Sequence, residues 1–175
     1  MTARPREAIL EELHALHKDE VFSFLVRLLG DRALAEDVLQ EGFIAVYRSL
    51  DRYDPARPVR PWLFEIMRNA AFMALRARGR KEQREQAAAK KEIEDPVLPA
   101  VTAREDVSRT RAALGELPDE TRALLIQRHG LGMKLEELAE SFACSERTIR
   151  NRLEKAAVEF ARALFGLARP GGGGP

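Results

Sequence analysis

Two stretches of this 175-residue chain carry side chains suited to reading nucleic acid. Near the C-terminus, Arg147, Arg150, Asn151 and Glu154 fall on one side of a helix that Ser145, a good N-cap, would open. Arginine donates two hydrogen bonds to guanine and asparagine pairs with adenine in the major groove, while flanking Arg152 and Lys155 suit phosphates. The competing reading is a solvated helix with Arg150 and Glu154 as an i,i+4 pair. Earlier, Arg60-Pro61-Trp62-Leu63-Phe64-Glu65-Ile66-Met67-Arg68-Asn69 puts two aromatics at the start of a basic helix. Aromatic faces stack on unpaired bases and cations hold the backbone, and Arg76, Arg78, Arg80 and Lys81 continue the basic track. Trp62 and Phe64 serve equally well as core anchors. A third stretch, Ala35 to Phe43, sets Glu36, Asp37, Gln40 and Glu41 beside an apolar face, which by itself describes an amphipathic helix.

Catalytic chemistry has little to stand on. His14 and His17 are spaced i,i+3, and His129 and Cys144 are the other candidate metal ligands, but the pair lacks a third partner. Cys144 lies at an expected apolar helix junction, where an inert buried thiol is the ordinary outcome. Gly171 to Gly174 form a tail, with no phosphate-cradling loop around them. The expectation is a protein that is not an enzyme and carries no metal and no cofactor.

The elements that must position these side chains are all helical. Ala, Leu, Glu and Arg dominate, aromatics are 6%, and β-branched runs are absent. Val21, Phe22, Leu25, Val26 and Leu29 outline a first helix ending at Gly30, and Asp31 caps a second that carries Leu34, Val38, Phe43, Val46 and Leu50. Asp54-Pro55-Ala56-Arg57-Pro58 breaks it, and a third helix follows Pro61. In the second half, Leu135 to Phe142, a tight turn at Ala143-Cys144 and a long helix from Ser145 have the form of a helix-turn-helix, with Ile149, Leu153, Ala156 and Phe160 facing the core. Ala143 occupies a turn position that favours glycine. The expected architecture is all-α, with two small helical domains joined by a flexible linker. Its divisions are an N-terminal extension over 1–19, a first unit over 20–80, a linker over 81–108, a second unit over 109–166 and a disordered tail over 167–175.

Charge is organised in blocks although the net charge is only +1. Residues 7–47 hold nine acids against three bases, and residues 48–81 hold nine bases against three acids. Residues 115–142 are again acidic and 144–169 basic, so acidic surface is expected to meet protein and basic surface phosphate. A single cysteine excludes an internal disulfide framework. No apolar run approaches the roughly 18 residues of a membrane span, so a cytoplasmic protein without stable membrane insertion is expected.

The order Gly30-Asp31-Arg32, Ala35-Glu36-Asp37-Val38-Leu39-Gln40-Glu41, Leu50-Asp51-Arg52-Tyr53, Trp62-Leu63-Phe64 and Arg68-Asn69 resembles sigma region 2. Leu117-Pro118, Leu135-Glu136-Glu137-Leu138-Ala139 and Thr148-Ile149-Arg150-Asn151-Arg152-Leu153 resemble sigma region 4. The chain is thus similar to the extracytoplasmic-function group of sigma-70 family initiation factors, whose members lack the extra domains of housekeeping sigma factors. The resemblance implies a transcription initiation factor that binds core RNA polymerase and recognises −10 and −35 promoter elements while helping open the DNA. It assigns Asp37, Gln40 and Glu41 to the polymerase β′ clamp helices, and Leu117 to Leu131 to the β flap. It places Tyr53, Trp62, Phe64, Arg68, Asn69, Phe72 and Arg76 at the −10 element and its melting, with Tyr53 and Asn69 at a flipped base. Arg147, Thr148, Arg150, Asn151, Glu154 and Lys155 fall at the −35 element. An anti-sigma partner is implied as well. A helix-turn-helix regulator acting without polymerase would explain 133–165 but leave the ordered pattern in 30–69 unexplained.

Overall fold

Local chemistry sets where the helices begin and end in the computed structural model, which describes residues 5–88 and 102–166. Helix α1 (Arg6–Leu29) stops at Gly30, whose φ of 70° lies in the left-handed region that glycine enters freely. The Asp31 carboxylate then accepts the Leu34 N–H at 3.1 Å and starts α2 (Arg32–Ser49). A 3₁₀ turn, Leu50–Arg52, leads to the loop before α3 (Val59–Ala88), where Pro61 falls in the first turn and its missing N–H breaks no helical bond. The second half comprises α4 (Thr102–Gly115), α5 (Asp119–Leu125), a π-helical segment Ile126–Gly130, α6 (Leu135–Ser141) and α7 (Glu146–Phe165). No strand occurs among the described residues.

Three helices run past the divisions drawn from the sequence, which left room for local helix in the linker. Helix α1 begins at Arg6, inside the stretch read as an extension, and buries Leu13. Its first turn is held from afar: Arg6 donates to the Tyr47 carbonyl at 2.7 Å and pairs with Asp51 at 3.0 Å, and the Tyr47 hydroxyl donates to Glu7 at 2.8 Å. Helix α3 passes through Gly79 without a break, since one interior glycine costs only about 1 kcal/mol. Helix α4 starts at Thr102, inside the expected linker. Residues 89–101 of that linker and the expected tail from 167 lie outside the described residues.

Helices α1, α2 and α3 pack together around Val21, Phe24, Leu25, Leu28, Val38, Val46, Leu63, Phe64 and Met67. Gly42 lets α2 approach α3 closely, because a Cβ there would run into the Met67 thioether. A smaller cluster of Leu117, Leu125 and Ala156, with Leu114, Leu153 and Phe160 against it, joins α4, α5 and α7.

The two units do not stand apart. The apolar cluster of the first continues into Ala123, Leu124, Ile126, Met133, Leu138 and Ile149 of the second. Helix α6 lies on α3, and the π-helical segment and α5 lie on α1. Apolar faces remaining on the three-helix unit bury themselves against the second unit, at a gain of about 25 cal/mol per Å². The two small helical domains expected from the sequence are present, and they pack on each other.

Candidate nucleic-acid interface

The helix-turn-helix is built from short-range hydrogen bonds. In the turn, Phe142, Ala143 and Cys144 N–H groups donate to the carbonyls of Leu138, Glu140 and Ala139 at 2.9, 3.1 and 2.9 Å. Ala143 takes φ of 48°, the one positive-φ position outside glycine among the described residues, as its place in the turn demands. Glu137 accepts the Lys134 N–H at 2.8 Å at the start of α6, and Ser145 Oγ accepts the Thr148 N–H at 3.2 Å at the start of α7. Ile149 and Ala156 are buried and Leu153 is half-buried, which rotates α7 so that Arg147, Arg150, Asn151, Glu154 and Lys155 are all exposed.

Three residues in the first two turns of α7 are tied differently from expectation. The Thr148 hydroxyl lies 2.9 Å from Ser145 Oγ and takes part in the cap. Arg150 reaches back to Glu146 at 3.5 Å instead of forward to Glu154, leaving the Glu154 carboxylate facing solvent. Arg152, expected at a phosphate, pairs with Glu120 of α5 at 3.1 Å and staples α7 to its own unit.

The second candidate surface lies at the start of α3. Trp62, Asn69 and Arg76 recur every seven residues and so share one side of that helix. Asn69 and Arg76 are exposed, and Trp62 and Phe72 half-buried. Tyr53, just past the 3₁₀ turn, sets its ring 4.6 Å from that of Trp62 at 36°, forming an aromatic corner. Its hydroxyl donates to the Arg57 carbonyl at 2.7 Å. Burial, then Asp54 and Glu140, push this phenol above its ordinary value, so at neutral pH it remains a donor.

Phe64 and Arg68 fall elsewhere. Phe64 is fully buried, edge-on to Phe24 with centroids 5.4 Å apart, so in this arrangement it anchors the core and presents no face to a base. Arg68 is 7% exposed, donating to Ser141 Oγ at 3.1 Å and to the Ser141 carbonyl at 2.8 Å, with its guanidinium 4.0 Å over the Phe142 ring. Burial lowers its pKa from the ordinary arginine value. Both lie on the side of α3 turned toward other helices, a distinction that residue type alone does not make.

Asp37, Gln40 and Glu41 are exposed on α2, and Ile44, 51% exposed, extends their stripe by one turn. His14 packs edge-on against Phe43 at 4.8 Å, while His17 lies 3.8 Å from Glu20. No cluster of three or more His, Cys, Asp or Glu suited to a metal occurs among the described residues. No helix among them is long and apolar enough to cross a membrane.

Sequence reasoning passed over Arg57 and Arg60. Arg60 is hydrogen-bonded to Glu20, to Glu137 at 3.1 Å and to the Leu131 carbonyl at 2.7 Å, and the two carboxylates raise its pKa against the opposing effect of burial. Arg57 donates to Glu140 at 2.7 Å. The alternation of acidic and basic blocks was the available signal, because acids on α6 meet bases near the start of α3.

Family models match both units: Sigma-70 region 2 over residues 13–81, and Sigma-70, region 4, over 108–159. The chain is 28% identical over 165 residues to the RNA polymerase sigma-H factor of Pseudomonas aeruginosa, spanning 87% of this chain and 84% of that protein. It is 28% identical over 143 residues to the ECF RNA polymerase sigma factor EcfG of Rhodopseudomonas palustris, covering 82% and 78%. The fold is similar to that of the sigma factor RpoE in complex with the anti-sigma factor NepR from Bartonella quintana, with TM-score 0.68 and 24% identity over 91% of this chain and 98% of that one. It is also similar to CnrH in complex with the cytosolic domain of CnrY, with TM-score 0.66 and 23% identity over 93% and 91%.

Proposed function

Because the chain belongs to the sigma-70 family, in its extracytoplasmic-function group, and so directs RNA polymerase to promoters, we propose how its two units divide that work. The observation that carries the assignment is the order of the two matches: a region 2 match over the unit with the Tyr53–Trp62 corner, then a region 4 match over the helix-turn-helix. In the first unit, Asp37, Gln40 and Glu41 dock on the polymerase clamp helices, supported by their shared exposed face. Tyr53, Trp62, Asn69, Phe72 and Arg76 engage the −10 element, an aromatic corner with an exposed amide further along the same side of α3 being suited to hold a base drawn out of the duplex. Arg68 joins them once released from Ser141, and Phe64 supports the site from the core.

In the second unit, Arg147, Arg150, Asn151, Glu154 and Lys155 read the −35 element in the major groove, with Thr148 fixing the helix start. Leu117 to Leu131 brace the surface that meets the polymerase flap. The chain supplies contacts rather than catalysis, and works in the cytoplasm beside the polymerase. An anti-sigma partner is proposed as well, on the strength of the NepR-bound neighbour of similar fold.

The energetics are those of divided binding. Opening stacked DNA costs about 1–2 kcal/mol per step, and each captured base returns roughly 1–3 kcal/mol. Two weak readers mounted on one polymerase act at high effective concentration on two spaced elements. The test is run-off transcription with bacterial core RNA polymerase and a random promoter library. The expected result is a defined start site that needs this chain; failure to bind core, or starts with no shared sequence, overturns the assignment.

A further inference from the structure

We propose that Arg6, in the first turn of α1, is a positioning residue for the −10 reader, fixing the turn that presents Tyr53 to Trp62. The inference rests on the promoter-binding reading above. The stretch that carries Tyr53 has little apolar burial to hold it: Asp51, Arg52 and residues 54–58 are exposed, and Leu50 and Tyr53 are half-buried. Its shape therefore depends on polar contacts, and Arg6 supplies those at its start. The guanidinium donates to the Tyr47 carbonyl at 2.7 Å and pairs with the Asp51 carboxylate at 3.0 Å, its central carbon lying 4.7 Å from the centre of the Tyr47 ring. One planar fork thus ties the last turn of α2 to the 3₁₀ turn that follows it.

The Tyr47 carbonyl is where α2 closes. The Leu50 N–H donates to it, and Arg6 takes its remaining lone pair. Carbonyls at a helix C-terminus lack partners within the helix and carry the negative end of its dipole, so a cation is favoured there on both counts. From this point short links lead to the reader. Asp51 lies inside the 3₁₀ turn, the Tyr53 N–H donates to the Leu50 carbonyl at 3.2 Å, and the Tyr53 ring sits 4.6 Å from that of Trp62. The far side of the loop has its own tie, from the Tyr53 hydroxyl to the Arg57 carbonyl at 2.7 Å. Loss of Arg6 leaves the turn without its polar anchor at α2, and the ring contact loosens. Arg6 lies ahead of the Sigma-70 region 2 match, which begins at residue 13, so this tie reaches the reader from outside the matched segment.

The test compares Arg6→Gln in the full-length chain with Leu13→Val, which removes one buried methylene from the same helix and shares none of these contacts. Trp62 is the only tryptophan, so its fluorescence reports the corner directly. Acrylamide quenching should rise in Arg6→Gln toward the value of Tyr53→Ala, where the ring contact is gone, and stay at the wild-type value in Leu13→Val. Run-off transcription from a library randomised in the −10 element is scored separately. Discrimination at the captured base should fall roughly fivefold in Arg6→Gln, the scale of one partly buried hydrogen bond, with −35 discrimination unchanged. Wild-type quenching in Arg6→Gln, or an equal rise in Leu13→Val, overturns the positioning role, as does an equal fall at the −35 element. Raised quenching with full −10 discrimination instead defeats the reading of the corner as the −10 site, and the inference with it.

Discussion

Replacing Asn69 with alanine separates promoter melting from polymerase binding. Asn69 is exposed on α3 and caps no helix, so Asn69→Ala should change stability by less than about 0.5 kcal/mol, as at ordinary surface positions. It lies two turns beyond Trp62 on the same side of α3. A bidentate side-chain contact to a base edge is worth about 1–3 kcal/mol. At tenfold per 1.4 kcal/mol, open-complex formation should fall by roughly 5- to 150-fold. Asp37, Gln40 and Glu41 sit on α2, a different helix, so core affinity should stay within about twofold, the same 0.5 kcal/mol allowance. Permanganate reactivity of unpaired thymines measures opening, and fluorescence anisotropy of labelled chain measures core binding. Equal losses in both assays would refute the assignment, as would full opening by the variant.

Three further outcomes follow from particular contacts. Arg150→Ala removes an exposed guanidinium held only by Glu146, and should cost about 1–3 kcal/mol of discrimination at one upstream base pair; an unchanged preference in a randomised −35 selection would place the reading face elsewhere. Gln127 is fully buried with neither amide atom hydrogen-bonded, so Gln127→Met should stabilise the fold by about 1–3 kcal/mol in urea titrations, and a lowered midpoint would contradict this. Glu7 is held below the usual carboxylate range by its backbone hydrogen bond and then by the Tyr47 hydroxyl. That contribution is complete above the unfolded carboxylate pKa and is lost as pH falls through the folded value, so Tyr47→Phe should weaken the fold at pH 7 and matter less at pH 3. An equal deficit at both pH values in thermal melts would rule the linkage out.

The charge blocks show how far a one-dimensional reading extends. Acids over 115–142 and bases over 48–81 were visible, and their assignment to outside partners was natural. Glu137 and Glu140 instead meet Arg60 and Arg57 across about 80 residues of chain, and no local pattern pairs blocks so far apart. The same holds for Arg152, whose partner Glu120 lies on another helix.

Features governed by a few consecutive residues were legible before any fold was known: the left-handed stop at Gly30, the Asp31 and Ser145 caps, the turn conformation at Ala143 and the buried stripe through Ile149. Backbone sterics and short hydrogen bonds decide these, and they act within a turn of helix. The order of motifs was enough to indicate the family as well. Whether Phe64 and Arg68 face a ligand or a neighbouring helix, how early α1 begins, and that the two units dock were decided only in three dimensions. Burial depends on which apolar faces find each other, and that free energy belongs to the assembled surface rather than to any segment of it.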